Sequence, residues 1–152
     1  MRAGYVYNTW PLIDGRLMPG ASALFFDIPL WRNFFENTLT VQFDHRMLAY
    51  VILLCALLHA LDVARRVKRG PARTSALVVG AFVALQVVLG VATLLLVVPL
   101  AVALAHQALA MLILTAATVH AMNLVGQTRR AAPLVGDGLD LQASASSKPP
   151  RP

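Results

Sequence analysis

The sequence predicts an all-α membrane protein with three transmembrane helices, on three observations. Hydrophobic residues make up 58% of the 152 and charged residues 13%, with a mean hydropathy of +0.66. That balance is too apolar for an ordinary soluble domain and far from a disordered chain. Three apolar stretches reach the roughly 20 residues needed to cross a hydrocarbon core of ~30 Å. Finally, the basic residues gather between and after those stretches.

Residues 1–41 read as an outer-side loop. The first nineteen include Asn8, Thr9, Trp10, Pro11, Asp14 and Arg16 and have no uninterrupted apolar core, so they do not form a signal peptide. A polar N-terminus with no membrane helix before it is hard to translocate, and the chain is therefore expected to be incomplete. In residues 20–41, bulky apolar side chains (Leu24, Phe25, Phe26, Ile28, Leu30, Trp31, Phe34, Phe35) mix with Asp27, Arg32, Glu36 and Asn37. Such a mixture suits the membrane–water boundary and predicts a short interfacial helix after Pro29.

Residues 42–125 form the membrane segment, with spans at 42–64, 75–97 and 100–124. The first linker carries Arg65, Arg66, Lys68, Arg69 and Arg73, and Arg129 and Arg130 follow the third span. The turn around Pro99 carries no charge. The positive-inside rule then puts the linker and C-terminus on the cytoplasmic (or matrix) side and the N-terminus outside. A bacterial inner membrane is expected, or the mitochondrial inner membrane in a eukaryote. The net charge of +6 lies in membrane loops, which argues against nucleic acid as a partner and for membrane lipid. Residues 126–152, rich in Gly, Ser, Ala and Pro, are expected to be a disordered inner-side tail. Cys55, the only cysteine, stands within an apolar span and reads as a packing residue.

Two histidines carry the functional argument. His45 lies eight residues past Asn37, and His106 seven past Pro99. At 1.5 Å per helical residue, each sits roughly 10–12 Å inside the outer boundary. Ionisable side chains at such depth are costly and mark functional sites by default. Two imidazoles at one depth on two helices running the same way are what axial ligation of a haem iron requires. Beneath them run matching helical stripes, His45-Ala49-Ile52-Ala56-His59 and His106-Ala110-Ile113-Ala117-His120. The alanines leave room for a flat macrocycle or a close helix neighbour. His59 and His120, about 21 Å deeper, have the spacing of a two-haem cytochrome b. They are read instead as helix-end residues reaching interfacial water, with no second haem. The middle span offers a small-residue face (Gly80, Ala84, Gly90) with Thr93, and Gln86 must find a partner inside the bundle.

The ordered blocks Val6-Tyr7-Asn8-Thr9-Trp10-Pro11-Leu12-Ile13-Asp14-Gly15-Arg16, Phe35-Glu36-Asn37, Val41-Gln42-Phe43-Asp44-His45-Arg46, 86–95 and Ala105-His106-Gln107 resemble the haem A synthase family. That family oxidises a methyl group of haem O to the formyl group of haem A, for cytochrome oxidase. Its members have two four-helix halves, each with a histidine pair. The resemblance implies that this chain corresponds to the last three helices of the C-terminal half plus the preceding outer loop, part of a four-helix haem-binding bundle. It makes His45 and His106 the axial iron ligands of a haem b cofactor, and Arg46 a partner for a haem propionate. It also implies haem O as substrate of the complete enzyme, a missing N-terminal half as partner, and haem O synthase as a candidate neighbour. No catalytic residue is assigned to this chain. The family's catalytic glutamate belongs to the other half, and Gln42, at the equivalent position, is no general base. The chain alone is expected to be inactive. Two readings compete with this one: a self-sufficient three-helix cytochrome b anchor for electron transfer, and a haem-free helical scaffold.

Overall fold

The first long helix starts where Asn37 can cap it. In the computed structural model, which describes residues 3–131, the Asn37 side chain accepts hydrogen bonds from the backbone N–H groups of Leu39 (3.0 Å) and Thr40 (3.4 Å). Two of the donors that a helix N-terminus leaves unpaired are thereby satisfied. Two short helices, α1 (Ala21–Leu24) and α2 (Asn33–Glu36), precede three long ones: α3 (Thr38–Arg66), α4 (Pro71–Leu95) and α5 (Leu100–Ala131). No strand occurs among the described residues. All three long helices are long and apolar enough to cross a membrane, so the all-helical, multi-pass membrane fold is the observed one.

The boundaries shift from those expected. The cap brings the start of α3 forward from 42 to Thr38. It ends after Arg65 and Arg66, whose charges suit the negative end of the helix dipole. Gly70, at φ 125°, turns the chain, and Pro71 opens α4 at a position where its missing N–H costs nothing. Arg73 ties this turn by donating to the carbonyls of Ala64 and, at 3.1 Å, Val67. The turn after α4 is strained. Val97 and Val98 take φ values of 59° and 57°, a left-handed conformation that β-branched residues rarely adopt. A bond from Val98 N–H to Thr93 O (2.8 Å) holds it closed. Helix α5 runs past 124 as far as Ala131, because the lone Gly126 is tolerated and no proline follows before Pro133. The rest of the expected tail, 132–152, lies outside the described residues.

Helix α4 packs against both α3 and α5, which make no comparable contact with each other. Its small residues permit this. A Cβ on Gly80 would stand 3.1 Å from the Cβ of Ala60, and one on Gly90 would stand 3.1 Å from Cε1 of His106. With α3 and α5 on the flanks of α4, space remains between their N-terminal halves, the end expected to face the outer side.

The segment before α3 is tightly anchored. An Asp14-Gly15 turn with both φ values positive (51° and 72°) pairs Ile13 with Arg16, as hairpin turns of this kind require. Ile13, Leu24 and Leu39 form a buried cluster backed by Tyr7 and Phe43. The expected helical turn after Pro29 is present, as a 3-10 turn (Leu30–Arg32) running into α2. There Arg32 pairs with Glu36 and holds that carboxyl below its usual range. Buried Asn33 and Asn37 are the pins. Asn33 donates to Asp27 O (2.9 Å) and Leu30 O (3.0 Å), and Asn37 donates to Ala23 O and Leu24 O (both 3.0 Å). Thr40 adds a bond to Leu24 O at 2.6 Å.

Candidate functional site

The space between the outer halves of α3 and α5 is a cavity of about 480 Å³, and both His45 and His106 line it. Its volume falls in the roughly 300–1,000 Å³ range of small-molecule and cofactor sites. Helix α3 contributes Gln42, His45, Arg46, Ala49, Tyr50 and Ile52; α4 contributes Gln86, Gly90, Thr93 and the apolar Val87, Val91 and Leu94. From α5 only His106 reaches in. The stripe beneath His45 thus faces the cavity at Ala49 and Ile52, while Ala110 and Ile113 beneath His106 do not line it.

His106 is held from the α4 side. Gly90 lets the α4 backbone lie against the imidazole, as the 3.1 Å approach of a built Cβ shows. The Gln86 amide donates to His106 O at 3.1 Å, and its nitrogen stands 3.4 Å from His106 Nε2. Because a carbonyl can only accept, the first contact fixes which end of the Gln86 amide is nitrogen. Gln86 Oε1 and His106 Nδ1 are left buried without a partner.

Arg46 stands at the outer wall of the cavity with its end groups engaged. It donates to Leu12 O (3.2 Å), Tyr7 O (3.1 Å) and Gln42 Oε1 (3.0 Å). Its Nε is buried and unpaired. Among the described residues no carboxylate forms an ion pair with it. A buried cation without a counter-charge is costly, and it makes this wall receptive to an anion. Toward an anion Arg46 offers Nε, while its terminal nitrogens clamp the 7–12 segment over the cavity. Trp10 completes that cover, donating from its indole N–H to the Tyr50 hydroxyl at 2.9 Å. Asn8 fastens the same segment to α4 through Leu94 O at 2.9 Å. The sequence reading did not single out Trp10 or Tyr50 for the site. The available signal was a Tyr within an aliphatic span and a Trp in the outer loop, both residues that favour membrane boundaries.

The residues present fit a haem on these observations: two imidazoles on one cavity, mostly apolar walls, a glycine against one imidazole, and a buried unpaired cation at one edge. The deeper histidines behave differently. His59 Nε2 and His120 Nε2 are 2.7 Å apart, in hydrogen-bond contact. An iron between opposed rings needs about twice a metal–nitrogen bond of ~2 Å, so none fits there as the rings stand. His120 is 6% exposed and therefore does not reach interfacial water in the manner expected.

Comparison with known proteins agrees with the resemblance read from the sequence. The chain is 50% identical over 135 residues to a protein named heme A synthase from Rhodopseudomonas palustris (strain BisB5), covering 89% of this chain and 37% of that one. It is 51% identical over 127 residues to the heme A synthase of Bradyrhizobium diazoefficiens, covering 84% and 35%. For the heme A synthase of Azorhizobium caulinodans the identity is 53% over 121 residues, covering 80% and 34%. The chain thus spans about a third of the length of these curated relatives. No solved structure matches it significantly. The family model described as cytochrome oxidase assembly protein matches residues 1–118, and the chain belongs to that family.

Proposed function

We propose that this chain is the haem b-holding, C-terminal part of a haem A synthase, whose complete form oxidises a methyl group of haem O to the formyl group of haem A. The observation that carries the reading is that His45 and His106 line one cavity whose outer wall holds an uncompensated buried cation. When bound, the haem supplies an iron that exchanges single electrons. The protein's own residues bind and orient. His45 and His106 present ring nitrogens from α3 and α5, and Gly90 and Gln86 fix the His106 ring from α4. Arg46 offers charge at the outer edge and, with Trp10 and Tyr50, keeps the 7–12 segment over the cavity so that water is excluded.

Proton chemistry on the substrate belongs elsewhere in the complete protein. Gln42 accepts a hydrogen bond from Arg46 one turn before His45, and an amide cannot take up a proton near neutral pH. The chain alone is therefore inactive in this reading. The complete enzyme works in the bacterial inner membrane on haem O, with its N-terminal half as partner and haem O synthase as neighbour.

The test is the absorbance of the purified chain reconstituted with haem. A bis-histidine low-spin spectrum is expected, lost on His45→Ala or His106→Ala while membrane insertion persists. A normal low-spin spectrum in both variants would overturn the assignment.

A further inference from the structure

Tyr50 lines the cavity with half of its hydroxyl unused. The indole N–H of Trp10 can only donate, so in the 2.9 Å contact between the two residues the Tyr50 oxygen is the acceptor. Its own proton is left to donate, and among the described residues no acceptor takes it. Tyr50 stands one helical turn past Arg46 on α3, and both residues line the cavity. Long side chains on a helix lean back over the turn N-terminal to them, which carries the Tyr50 ring toward the level of Arg46. The 7–12 segment meets both: Arg46 bonds Tyr7 O and Leu12 O, and Trp10, between those two, bonds Tyr50.

Arg46 supplies the reason for a second donor. It is 7% exposed, its terminal nitrogens bond three neutral acceptors, and its Nε is buried and unpaired. A cation held in this way favours an anionic group beside it. A carboxylate offers about four lone-pair sites on its two oxygens, more than the single Nε–H can satisfy. We propose that the Tyr50 hydroxyl is a second hydrogen-bond donor to a carboxylate seated at this edge of the cavity beside Arg46 Nε. On the haem reading, on which this rests, that carboxylate is a propionate of the porphyrin. The division of labour follows from the two side chains. Arg46 brings the compensating charge, and its planar group is fixed by the carbonyls it already holds. Tyr50 donates without adding charge, and the Trp10 N–H on its oxygen directs the hydroxyl proton elsewhere, toward the cavity it lines. Trp10, Tyr50 and the ligand then form one chain of hydrogen bonds, so the 7–12 segment and the bound group hold each other in place.

The experiment titrates the full chain in lipid bilayers, by absorbance, with two porphyrins: haem b, and haem b dimethyl ester, whose carboxyl groups carry no charge. The unsubstituted chain is compared with Y50F and W10F. Y50F keeps the ring in place and loses both the free proton and the acceptor for Trp10. W10F loses only the Trp10 bond, so it measures what loosening the 7–12 segment does by itself. A hydrogen bond to a charged acceptor is about twice as strong as one to a neutral ester carbonyl. Y50F is therefore expected to weaken haem b binding by roughly fivefold to tenfold more than it weakens binding of the ester. W10F is expected to weaken both porphyrins to the same extent. A Y50F loss that is equal for the two porphyrins would overturn the proposal. Absence of a low-spin spectrum with either porphyrin in the unsubstituted chain would overturn the haem reading and this proposal with it, so the two failures are told apart.

Discussion

Gly90 gives the sharpest test of how the site is held. A methyl group there would meet Cε1 of His106 at 3.1 Å, and Nδ1 at 3.7 Å. The first distance is shorter than ordinary van der Waals contact, so the ring must give by a few tenths of an ångström. It has little freedom to do so, since the Gln86 amide lies against both its backbone carbonyl and its Nε2. Overpacking of this kind costs about 1–3 kcal/mol. Taken on the haem-bound state, that corresponds to a loss of affinity of roughly fivefold to a hundredfold. The same substitution gains ~1 kcal/mol of helix propensity in the apoprotein. Gly90→Ala should therefore bind haem more weakly, while in the apoprotein the propensity gain offsets part of the same strain and leaves a modest loss of stability.

The assay pairs a haem titration by absorbance with thermal unfolding of the apoprotein. Gly126→Ala is the control, because a Cβ at Gly126 meets nothing within 4 Å. Gly80→Ala should separate stability from haem binding. Its Cβ would meet Ala60 at 3.1 Å between α3 and α4, away from the residues that line the cavity, so stability should fall while haem affinity holds. Unchanged haem affinity and spectrum in Gly90→Ala would refute the claim that α4 positions the His106 ring.

Three further outcomes are expected. Asn37→Ala removes the α3 cap and strands the carbonyl of Ala23, while Leu24 O keeps its bond from Thr40, and should destabilise the outer segment by about 2 kcal/mol, read as faster proteolysis within residues 20–37. Arg46→Lys retains the charge but loses the planar fork that reaches Tyr7 O and Leu12 O. The 7–12 segment should loosen, with Trp10 emission shifting to the red and haem affinity falling. A cysteine at Arg69, in the basic turn between α3 and α4, should react with an impermeant reagent only from the inner side; labelling from outside intact cells would reverse the topology.

Hydropathy made the three spans legible, because a helix that meets lipid must be apolar over a fixed length. The cap at Asn37 lies ahead of the apolar pattern, which strengthens only after Thr40, so the expected start fell late. Arg46 was named through the family resemblance alone, and its geometry was not legible. Its partners are backbone carbonyls 34 and 39 residues away in sequence, and no side-chain pattern announces such a bond. The twin stripes misled on one side. Spacing predicts which residues share a helix face and not which way the face points. Helix α5 is turned so that His106 alone enters the cavity, with Leu109 buried elsewhere.

The two histidine pairs show how neighbours decide what equal spacing cannot. Both pairs stand on α3 and α5 with fourteen residues between the outer and inner members. At the inner end, Ser75 bonds His120 and accepts from Asn123, and the two rings bond each other. At the outer end a cavity is lined by both rings, and among the described residues the three buried side-chain atoms without a partner (Arg46 Nε, Gln86 Oε1 and His106 Nδ1) all belong to residues that line it. Each such atom costs roughly 1–3 kcal/mol while it stays unpaired, a cost that apolar contents would leave in place. This contrast supports the proposal of a ligand with an apolar body and polar or charged edges at the outer end, whereas the inner end already pairs its own polar side chains.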